Sequence, residues 1–411
     1  MQHYLGRQIL HCAQIDNVDG CRAPTPGGRV LIGCPELPEE ANTVNIERFK
    51  DLLAESGLDG VIASSLENVS YLSGTRMVTQ RLIPDRLALL LWPEQGKPAI
   101  VLCKGEDVAC KDDCRVEDMR TYVEFVTSPI DIVADAIVEK GLAAGRLGVE
   151  RRSLPAEYMD QLQDRLPRAK LIDCGGLMDR TRMIKTTAEI DALAAAGRAT
   201  EQAIRAAFEE ATGGDTEKQV ADNMAAKVTA NGADVLNFMF LGTGLRSFEW
   251  HARPGETPLE TGHPVHTDVG GSFTGYWSDV ARMVFVGKPS PRQRDRYDRL
   301  YQVHVETIEA VRPGMRAGDL HSICAAAYEK AGLPFWMAFI GHGLGLALHE
   351  HPILKLTTDE LLMPGMVLCI EPAHYEPDIE GYHIEDLVQV TEDGVEVLTD
   401  YESAREPMVI S

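Results

Sequence analysis

Two aspartates close together in the sequence suggest the first piece of chemistry. Asp268 and Asp279 flank a run of β-branched and aromatic residues around a four-residue segment, 272–275, that contains glycine. This pattern predicts a β-hairpin with its loop over 272–275, in which Gly271 pairs with Tyr276 and Asp268 lies opposite Asp279. Like charges that face each other across an antiparallel pair destabilise it. Either the pairing differs from this prediction, or a cation lies between the two carboxylates.

Three further side chains have the chemistry of metal ligands. His342 lies in the glycine-rich segment 340–345, Glu371 follows an apolar strand, and Glu385 lies in a predicted strand where alternation gives it the same face as His383. Any one of these residues alone is more often a solvated or turn residue. Together they are more informative, because each lies in or beside an apolar segment where an unpaired charge would be costly. Four carboxylates and one imidazole favour Mn²⁺, Co²⁺, Fe²⁺ or Zn²⁺, and the four negative charges can neutralise two divalent cations.

The elements that must position these residues divide the chain into three parts. Residues 1–43 carry prolines and glycines without periodicity and predict an irregular arm. Residues 44–176 alternate helical and strand patterns, which predicts a smaller α/β domain. Residues 183–411 predict a second domain in which the order helix, helix, β-hairpin occurs twice, so that the whole chain is α+β. The predicted strands that carry the second copy of the hairpin are 367–370 and 382–390.

Composition excludes several classes of partner. The 411 residues include 63 acidic and 40 basic side chains, a formal net charge of −23, which argues against nucleic acid or an anionic membrane as a partner. The sequence shows neither a run of about 18 apolar residues nor a signal-peptide pattern at its start. The nine cysteines are scattered and odd in number, which favours reduced thiols in a cytoplasm over a disulfide framework.

The motifs around the candidate ligands resemble those of the M24 metallopeptidases, a family that includes prolidase, aminopeptidase P, methionine aminopeptidase and creatinase. The resemblance is carried by Asp-Val-Gly-Gly from Asp268, Trp-Ser-Asp-Val-Ala-Arg around Asp279, Gly-His-Gly-Leu-Gly around His342, Ile-Glu-Pro around Glu371 and Ile-Glu-Asp around Glu385. It implies the pita-bread fold for the C-terminal domain.

The N-terminal domain resembles the creatinase/prolidase N-terminal domain. The similar segments are Gly-Leu-Asp-Gly-Val at 57–61 and Glu-Asn-Val-Ser-Tyr-Leu-Ser-Gly at 67–74. Residues 182–190 resemble the junction between the two domains of this family, so the resemblance extends over 44–411. It also implies a homodimer.

The resemblance implies which metal ion each candidate ligand would bind. Asp268 would bind one metal ion, His342 and Glu371 the other, and Asp279 and Glu385 would bridge both. A water or hydroxide shared by the two metals would be the nucleophile, since a bound metal lowers the pKa of water toward about 7.

The resemblance also implies residues that act on the substrate. Glu371 is the candidate proton acceptor. His251 and His349 match two family histidines near the substrate, and His349 would help to stabilise the developing oxyanion. Tyr276 and Arg282 are predicted to pack and support the hairpin rather than to react.

One substrate-binding position departs from the family pattern. His383 stands where many M24 peptidases have an arginine, two residues before the last glutamate ligand, so that a titratable group replaces a fixed cation. We therefore expect a metal site of family type with a modified substrate pocket. Five further histidines are predicted to be structural or surface residues: His263, His266, His304, His321 and His374. His351, two residues after His349 and followed by Pro352, stays open as a further candidate.

Three functions follow from these observations. The first is a dinuclear metal-dependent hydrolase of the Xaa-Pro peptidase type, acting on a small peptide. The second is a metal-dependent hydrolase or lyase that uses the same site on a small non-peptide substrate. The third, a non-catalytic binding module, is disfavoured because all five candidate ligands are present.

Overall fold

The computed structural model describes residues 44–83, 85–400 and 404–411. The predicted arm 1–43 therefore lies outside the described residues. None of the helices in the described ranges combines the length and the apolar composition that crossing a bilayer requires.

The N-terminal part is a mixed six-stranded sheet with helices packed on it. Its helices are α1 Ile46–Ser56, α2 Leu66–Ser73, α3 Val78–Leu82, α4 Glu106–Ala109, α5 Pro129–Glu139, α6 Ala156–Arg165 and α7 Gly175–Met183. Its strands are β1 Gly60–Ala63, β2 Leu89–Pro93, β3 Ala99–Cys103, β4 Asp118–Tyr122, β5 Arg146–Val149 and β6 Lys170–Asp173. The strand order is β4-β3-β2-β1-β5-β6, in which β2 runs antiparallel to both of its neighbours. The predicted α/β pattern is confirmed.

Local signals explain where α1 begins and ends. The Asn45 side chain accepts a hydrogen bond from the backbone of Arg48, which satisfies one of the free amides of the first turn. Gly57 ends the helix in the left-handed conformation that glycine adopts without steric cost.

The C-terminal part contains two helix pairs and two large sheets. The first group comprises α8 Thr187–Glu210, α9 Glu217–Ala230, β7 Val235–Thr243, a 3₁₀ helix Gly244–Phe248, β8 Pro264–Phe273, β9 Tyr276–Trp277 and β10 Val280–Val286. The second comprises α10 Pro291–Ala310, α11 Ala317–Ala331, β11 Gly341–Gly343, β12 Glu350–Ile353, β13 Val367–Ile370, β14 Ala373–Glu376, β15 Glu380–His383, β16 Asp386–Val390 and β17 Val395–Val397. Strand β18, Met408–Ile410, returns to pair with β10.

Each helix pair packs on one sheet. Side chains of α8 and α9, including Leu193 and Met224, share a core with Val265 of the sheet β18-β10-β8-β7. Side chains of α10 and α11 share a second core with Leu368 and Val388 of the sheet β12-β11-β13-β16-β17. The predicted repeat of two helices followed by strands is therefore present, and its two sheets carry the candidate ligands.

The predicted register of the first hairpin is wrong. Phe273 pairs with Tyr276, so the loop is the two-residue turn Thr274–Gly275, and Asp268 lies opposite Ala281 rather than Asp279. Both turn residues have positive φ, 51° and 94°, as a tight hairpin turn requires. Ala281 points to the same face as Asp268, and Asp279, two residues before Ala281, points to that face as well.

The predicted strand 382–390 is interrupted. Strand β15 ends at His383 and pairs with β14, while β16 begins at Asp386 and pairs with β13. Glu385 lies in this break, where its backbone N–H donates to the carbonyl oxygen of Ala281. Strand alternation therefore does not relate Glu385 to His383, and the contact between the two hairpins places Glu385 instead.

Candidate metal centre

The five predicted ligands converge at the meeting point of the two large sheets. Asp268 lies on β8, Asp279 immediately before β10, His342 on β11, Glu371 immediately after β13 and Glu385 between β15 and β16. All are buried except Asp268, which is half-buried. The Nε2 atom of His342 lies 3.6 Å from Oδ2 of Asp279 and 3.4 Å from Oε1 of Glu371.

The carboxylates are held in an environment that opposes negative charge. Burial raises the pKa of Asp268 to about 7. Burial, followed by the charge of Asp268, raises the pKa of Glu371 to about 8. The pKa values of Asp279 and Glu385 are raised well above their ordinary range by burial and by the neighbouring carboxylates. A cation between these groups would relieve both effects, which is the electrostatic requirement that a metal site meets.

Donor atoms on the described residues fit divalent metal ions. Oδ1 of Asp268 and Oε1 of Glu371 are buried and have no hydrogen-bond partner among the described residues. The Nδ1 atom of His342 lies 3.0 Å from the carbonyl oxygen of Gly343, which can only accept, so Nδ1 carries the proton and Nε2 presents a lone pair. Burial lowers the pKa of His342 to about 3, which keeps the ring neutral. Neutral imidazole and carboxylate oxygens are the donors that the predicted metals bind.

One buried side chain at this site was missed from the sequence. Cys369 lies directly opposite His342 across β13 and β11, and its sulfur lies within 4.8 Å of donor atoms on Asp279, His342 and Glu385. Burial raises the pKa of this thiol well above its ordinary value, and Glu385 adds to the rise. Alternation along β13 puts position 369 on the face of position 371, a signal that could have found it.

The three predicted substrate histidines lie around the cluster. The ring of His349 stacks on His342 with 3.9 Å between ring centroids. The exposed His251 ring packs on Phe240 at 4.7 Å, and Phe240 lies opposite Asp268 across β7 and β8. The structure thus brings His251 and His349 to the same site as the carboxylates.

His383 faces the site but has an unpredicted partner. Its Nε2 atom lies 3.9 Å from Oε2 of Glu371, and its Nδ1 atom lies 3.2 Å from Nε2 of the buried His266. Burial lowers the pKa of His383 well below its ordinary value, followed by the effect of His266. His383 is therefore a neutral ring in a histidine pair. Its other neighbour is Trp250, which forms an aromatic cluster with Trp336 and Tyr375.

Arg282 supports the cluster from behind, as predicted. It donates through Nη1 to the carbonyl oxygen of Glu385 and through Nη2 to Asp386 at 2.7 Å, while Nε donates to Glu201 at 3.0 Å. His304 contacts the other oxygen of Asp386 at 2.7 Å. Buried, charge-assisted hydrogen bonds thereby hold Glu385 and Asp386, where β16 begins.

A second ionic cluster holds the segment that carries His349. The buried carboxylate of Glu350 lies 3.1 Å from Nζ of Lys185 and 3.2 Å from Nη2 of Arg182. It also accepts from the backbone N–H of Ala347 at 3.1 Å. Lys185 and Arg182 lie at the junction between the two parts of the chain, so the junction and the His349 segment are joined by one buried network.

We expect Gly341→Ala to destabilise the protein by about 2–4 kcal/mol, within the range of overpacking and backbone strain. Gly341 has a φ of 152°, and a Cβ there would lie 2.0 Å from the backbone oxygen of Cys369. Strand β11 would have to separate from β13 and move His342. Urea unfolding of metal-free protein measures the loss. Gly176→Ala is the matched control, because it lies in α7 with open space around its Cβ and should stabilise the helix by up to about 1 kcal/mol. Equal stabilities for the two variants would contradict the steric argument.

This architecture matches known protein families and known protein structures. Residues 191–392 match the model of metallopeptidase family M24, and residues 45–184 match the creatinase/prolidase N-terminal domain. The probable dipeptidase PepE of Mycobacterium tuberculosis is 32% identical over 345 residues, which cover 83% of this chain and 90% of the relative. The crystal structure of dipeptidase PepE from Mycobacterium ulcerans has 30% identity and a TM-score of 0.79, covering 90% of this chain and 98% of the other. The prolidase from Pyrococcus horikoshii has 25% identity and a TM-score of 0.76, covering 88% and 98%.

Proposed function

Because the chain belongs to metallopeptidase family M24, we propose that it is an Xaa-Pro peptidase, a hydrolase that cleaves the amide bond before proline in small peptides. The observation that carries this proposal is the convergence of the five candidate ligand side chains, with His349 stacked on His342 and His251 close by. The named relatives are dipeptidases and a prolidase, which favours a peptide over the non-peptide substrate that the sequence left open.

We propose that the site holds two divalent cations, Mn²⁺, Co²⁺, Zn²⁺ or Fe²⁺. Asp268, Asp279, His342, Glu371 and Glu385 would hold them. When bound, such cations supply a water of lowered pKa as the nucleophile and polarise the scissile carbonyl. The proposal is supported by the buried, unpartnered carboxylate oxygens and by the lone pair on Nε2 of His342.

The side chains around the cations would do the rest of the chemistry. Glu371 would accept the proton of the attacking water, since its carboxylate lies in the same cluster as the other proposed ligands. His349 would donate to the developing oxyanion, and His251 would orient the substrate from the opposite side. His383, being neutral and paired with His266, would contact the substrate as a hydrogen-bonding ring and not as a cation.

The remaining parts of the proposal concern organisation. Domains at 44–176 and 183–411 are supported by the family matches at 45–184 and 191–392. A homodimer is proposed from the family resemblance alone, and a cytoplasmic location from the cysteine pattern.

We expect added Mn²⁺, Co²⁺ or Zn²⁺ to raise the melting temperature of chelator-treated protein and to give cleavage of Ala-Pro and longer Xaa-Pro peptides. A ligand that binds only the folded state stabilises it, by about 2.7 kcal/mol at a concentration one hundred times its Kd. Thermal scans and the metal content of dialysed protein measure binding, and peptide hydrolysis measures activity. Matched Ala-Ala peptides test the requirement for proline. A protein that retains only trace metal, gains no stability and cleaves no peptide would overturn the proposal.

A further inference from the structure

One face of the sheet that carries the metal-site aspartates continues beyond them as a row of aromatic rings. Asp268 lies between Phe240 on β7 and Ala281 on β10. Trp277, four residues before Ala281, shares this face by alternation and pairs with Ser272. The row therefore begins at the aspartates and follows the hairpin toward its turn.

The rings in this row touch each other. Phe238 stacks on Phe240 with 5.4 Å between centroids and on Trp277 with 6.4 Å. The lack of a side chain at Gly270 makes room for Phe238, since a Cβ there would lie 2.1 Å from its ring. All three aromatic rings are half-buried, so each keeps a surface that a bound molecule can reach. Because Phe240 also contacts His251, the row starts beside a predicted substrate residue.

The row ends at a cavity between the hairpin turn and the N-terminal part. The cavity has a volume of about 330 Å³, and its walls include Leu66, Tyr71 and Met77 from one side and Trp277 and Leu346 from the other. This volume is at the lower end of the range for small-ligand pockets. The distance along β8 from Asp268 to Ser272 is four residues, roughly 13 Å at about 3.3 Å per residue.

Charged residues border the cavity and hold its two walls together. The guanidinium of Arg81, from the end of α3, lies over the ring of Trp277 at 5.7 Å from its centroid. Arg76 forms an ion pair of 2.6 Å with Asp234, which precedes β7. These contacts link the two walls at the rim of the cavity.

We infer that this cavity is a subsite for a large apolar side chain of an extended peptide, about four residues from the scissile bond. This inference rests on the proposed function and deepens it: the substrates include peptides of five or more residues. An extended peptide advances by about the same distance per residue as the strand beneath it, so the fourth residue reaches the cavity. The aromatic row would contact the intervening residues without regard to their sequence.

Ser70 offers a way to fill the cavity without touching the metal site. Its side chain lines the cavity from α2. Ser70→Phe would occupy the space, whereas Ser70→Ala leaves it open and is the control at the same position. Val235→Trp, from a partly exposed position on the same wall, is a second filling variant should Ser70→Phe fail to fold.

Calorimetric binding to metal-free protein tests the subsite independently of catalysis. The probes are Ala-Pro-Gly-Gly-Phe and Phe-Gly-Gly-Ala-Pro, each compared with the peptide in which glycine replaces phenylalanine. For at least one probe, wild type and Ser70→Ala should bind the phenylalanine peptide about tenfold tighter than the matching glycine peptide, as expected for partial burial of a large apolar side chain. The ratio of these two affinities is the measured quantity. Ser70→Phe should reduce this ratio to near one. A ratio near one in wild type for both probes, or an unchanged ratio in the filled variants, would overturn the inference.

Hydrolysis by metal-loaded enzyme separates this inference from the proposed function. Ser70→Phe should lower kcat/KM for the preferred phenylalanine pentapeptide about tenfold and leave that for Ala-Pro unchanged. Equal losses on both substrates would count against a subsite. Failure of wild type to cleave any Xaa-Pro peptide would defeat the proposed function, while the binding ratio would still decide the inference.

Discussion

Asp279→Asn is expected to remove most Xaa-Pro peptidase activity and, at the same time, to make the metal-free protein more resistant to heat. Asp279 lies within reach of His342 and is surrounded by the carboxylates of Asp268, Glu371 and Glu385. Bound metal contributes several kcal/mol to transition-state stabilisation, so losing a proposed ligand should lower kcat/KM by on the order of 10³. Without metal, the buried Asp279 carboxyl must either carry a negative charge beside its neighbours or take up a proton on folding, and a neutral amide of the same shape avoids both costs.

Three measurements together test this expectation. Steady-state hydrolysis of Ala-Pro gives the activity, metal analysis after dialysis gives the occupancy, and thermal scans of chelator-treated protein give the stability. Asp222→Asn is the matched control, because Asp222 is 65% exposed and pairs with Lys218 on the surface of α9. We expect it to change stability by no more than about 0.5 kcal/mol. Full metal occupancy with nearly normal activity in Asp279→Asn would show that Asp279 is not a ligand.

Local signals made much of the fold predictable. The helix α8 begins after a capping box of Thr186 and Glu189, a pattern that needs only residues three positions apart in the sequence. The hairpin register was not predictable in the same way. Its turn places Thr274 at a φ of 51°, which threonine seldom adopts, so a longer loop ending at Gly275 was the more natural prediction. The error amounts to two positions along the strand, which preserves the alternation, so Asp268 and Asp279 remain on one face as the metal hypothesis needs.

The sequence identified which residues come together at the candidate site, but not what surrounds them. Carboxylates and a histidine in apolar segments stand out because burying them unpaired is costly. His266 does not stand out, and Cys369 does so only through its alternation with Glu371, since a buried cysteine or histidine is unremarkable until its neighbours are known. Their neighbours come from long-range pairing, of Cys369 with His342 across two strands and of His266 with His383 across two hairpins. A single sequence does not contain those distances.

Glu350→Ala is expected to lower the free energy of unfolding by about 3–5 kcal/mol, since it leaves Lys185 and Arg182 buried without their carboxylate. The Lys185 and Glu350 side chains are only 2% and 3% exposed, so water cannot replace the lost partner. Burial alone would raise the pKa of Glu350, but the charges of Arg182 and Lys185 outweigh it and hold the pKa below its ordinary value. The carboxylate therefore stabilises the fold above about pH 4, and this contribution is lost as the pH falls through the lower pKa of the folded state. Urea unfolding at pH 7 measures the effect.

A matched surface change and a paired change separate the buried ion pair from a simple loss of charge. Glu47→Ala, in the exposed pair with Lys50, should cost no more than about 1 kcal/mol. The double variant Glu350→Met with Lys185→Met should be more stable than Glu350→Ala, because it removes one of the two buried cations that the single variant leaves without a partner and fills the space with apolar side chains. Glu350 is also adjacent to His349, so Glu350→Gln should lower kcat/KM for Ala-Pro while metal occupancy stays complete. A stability loss for Glu350→Ala no larger than that for Glu47→Ala would show that water or another side chain compensates Lys185, and that the domain junction does not depend on this carboxylate.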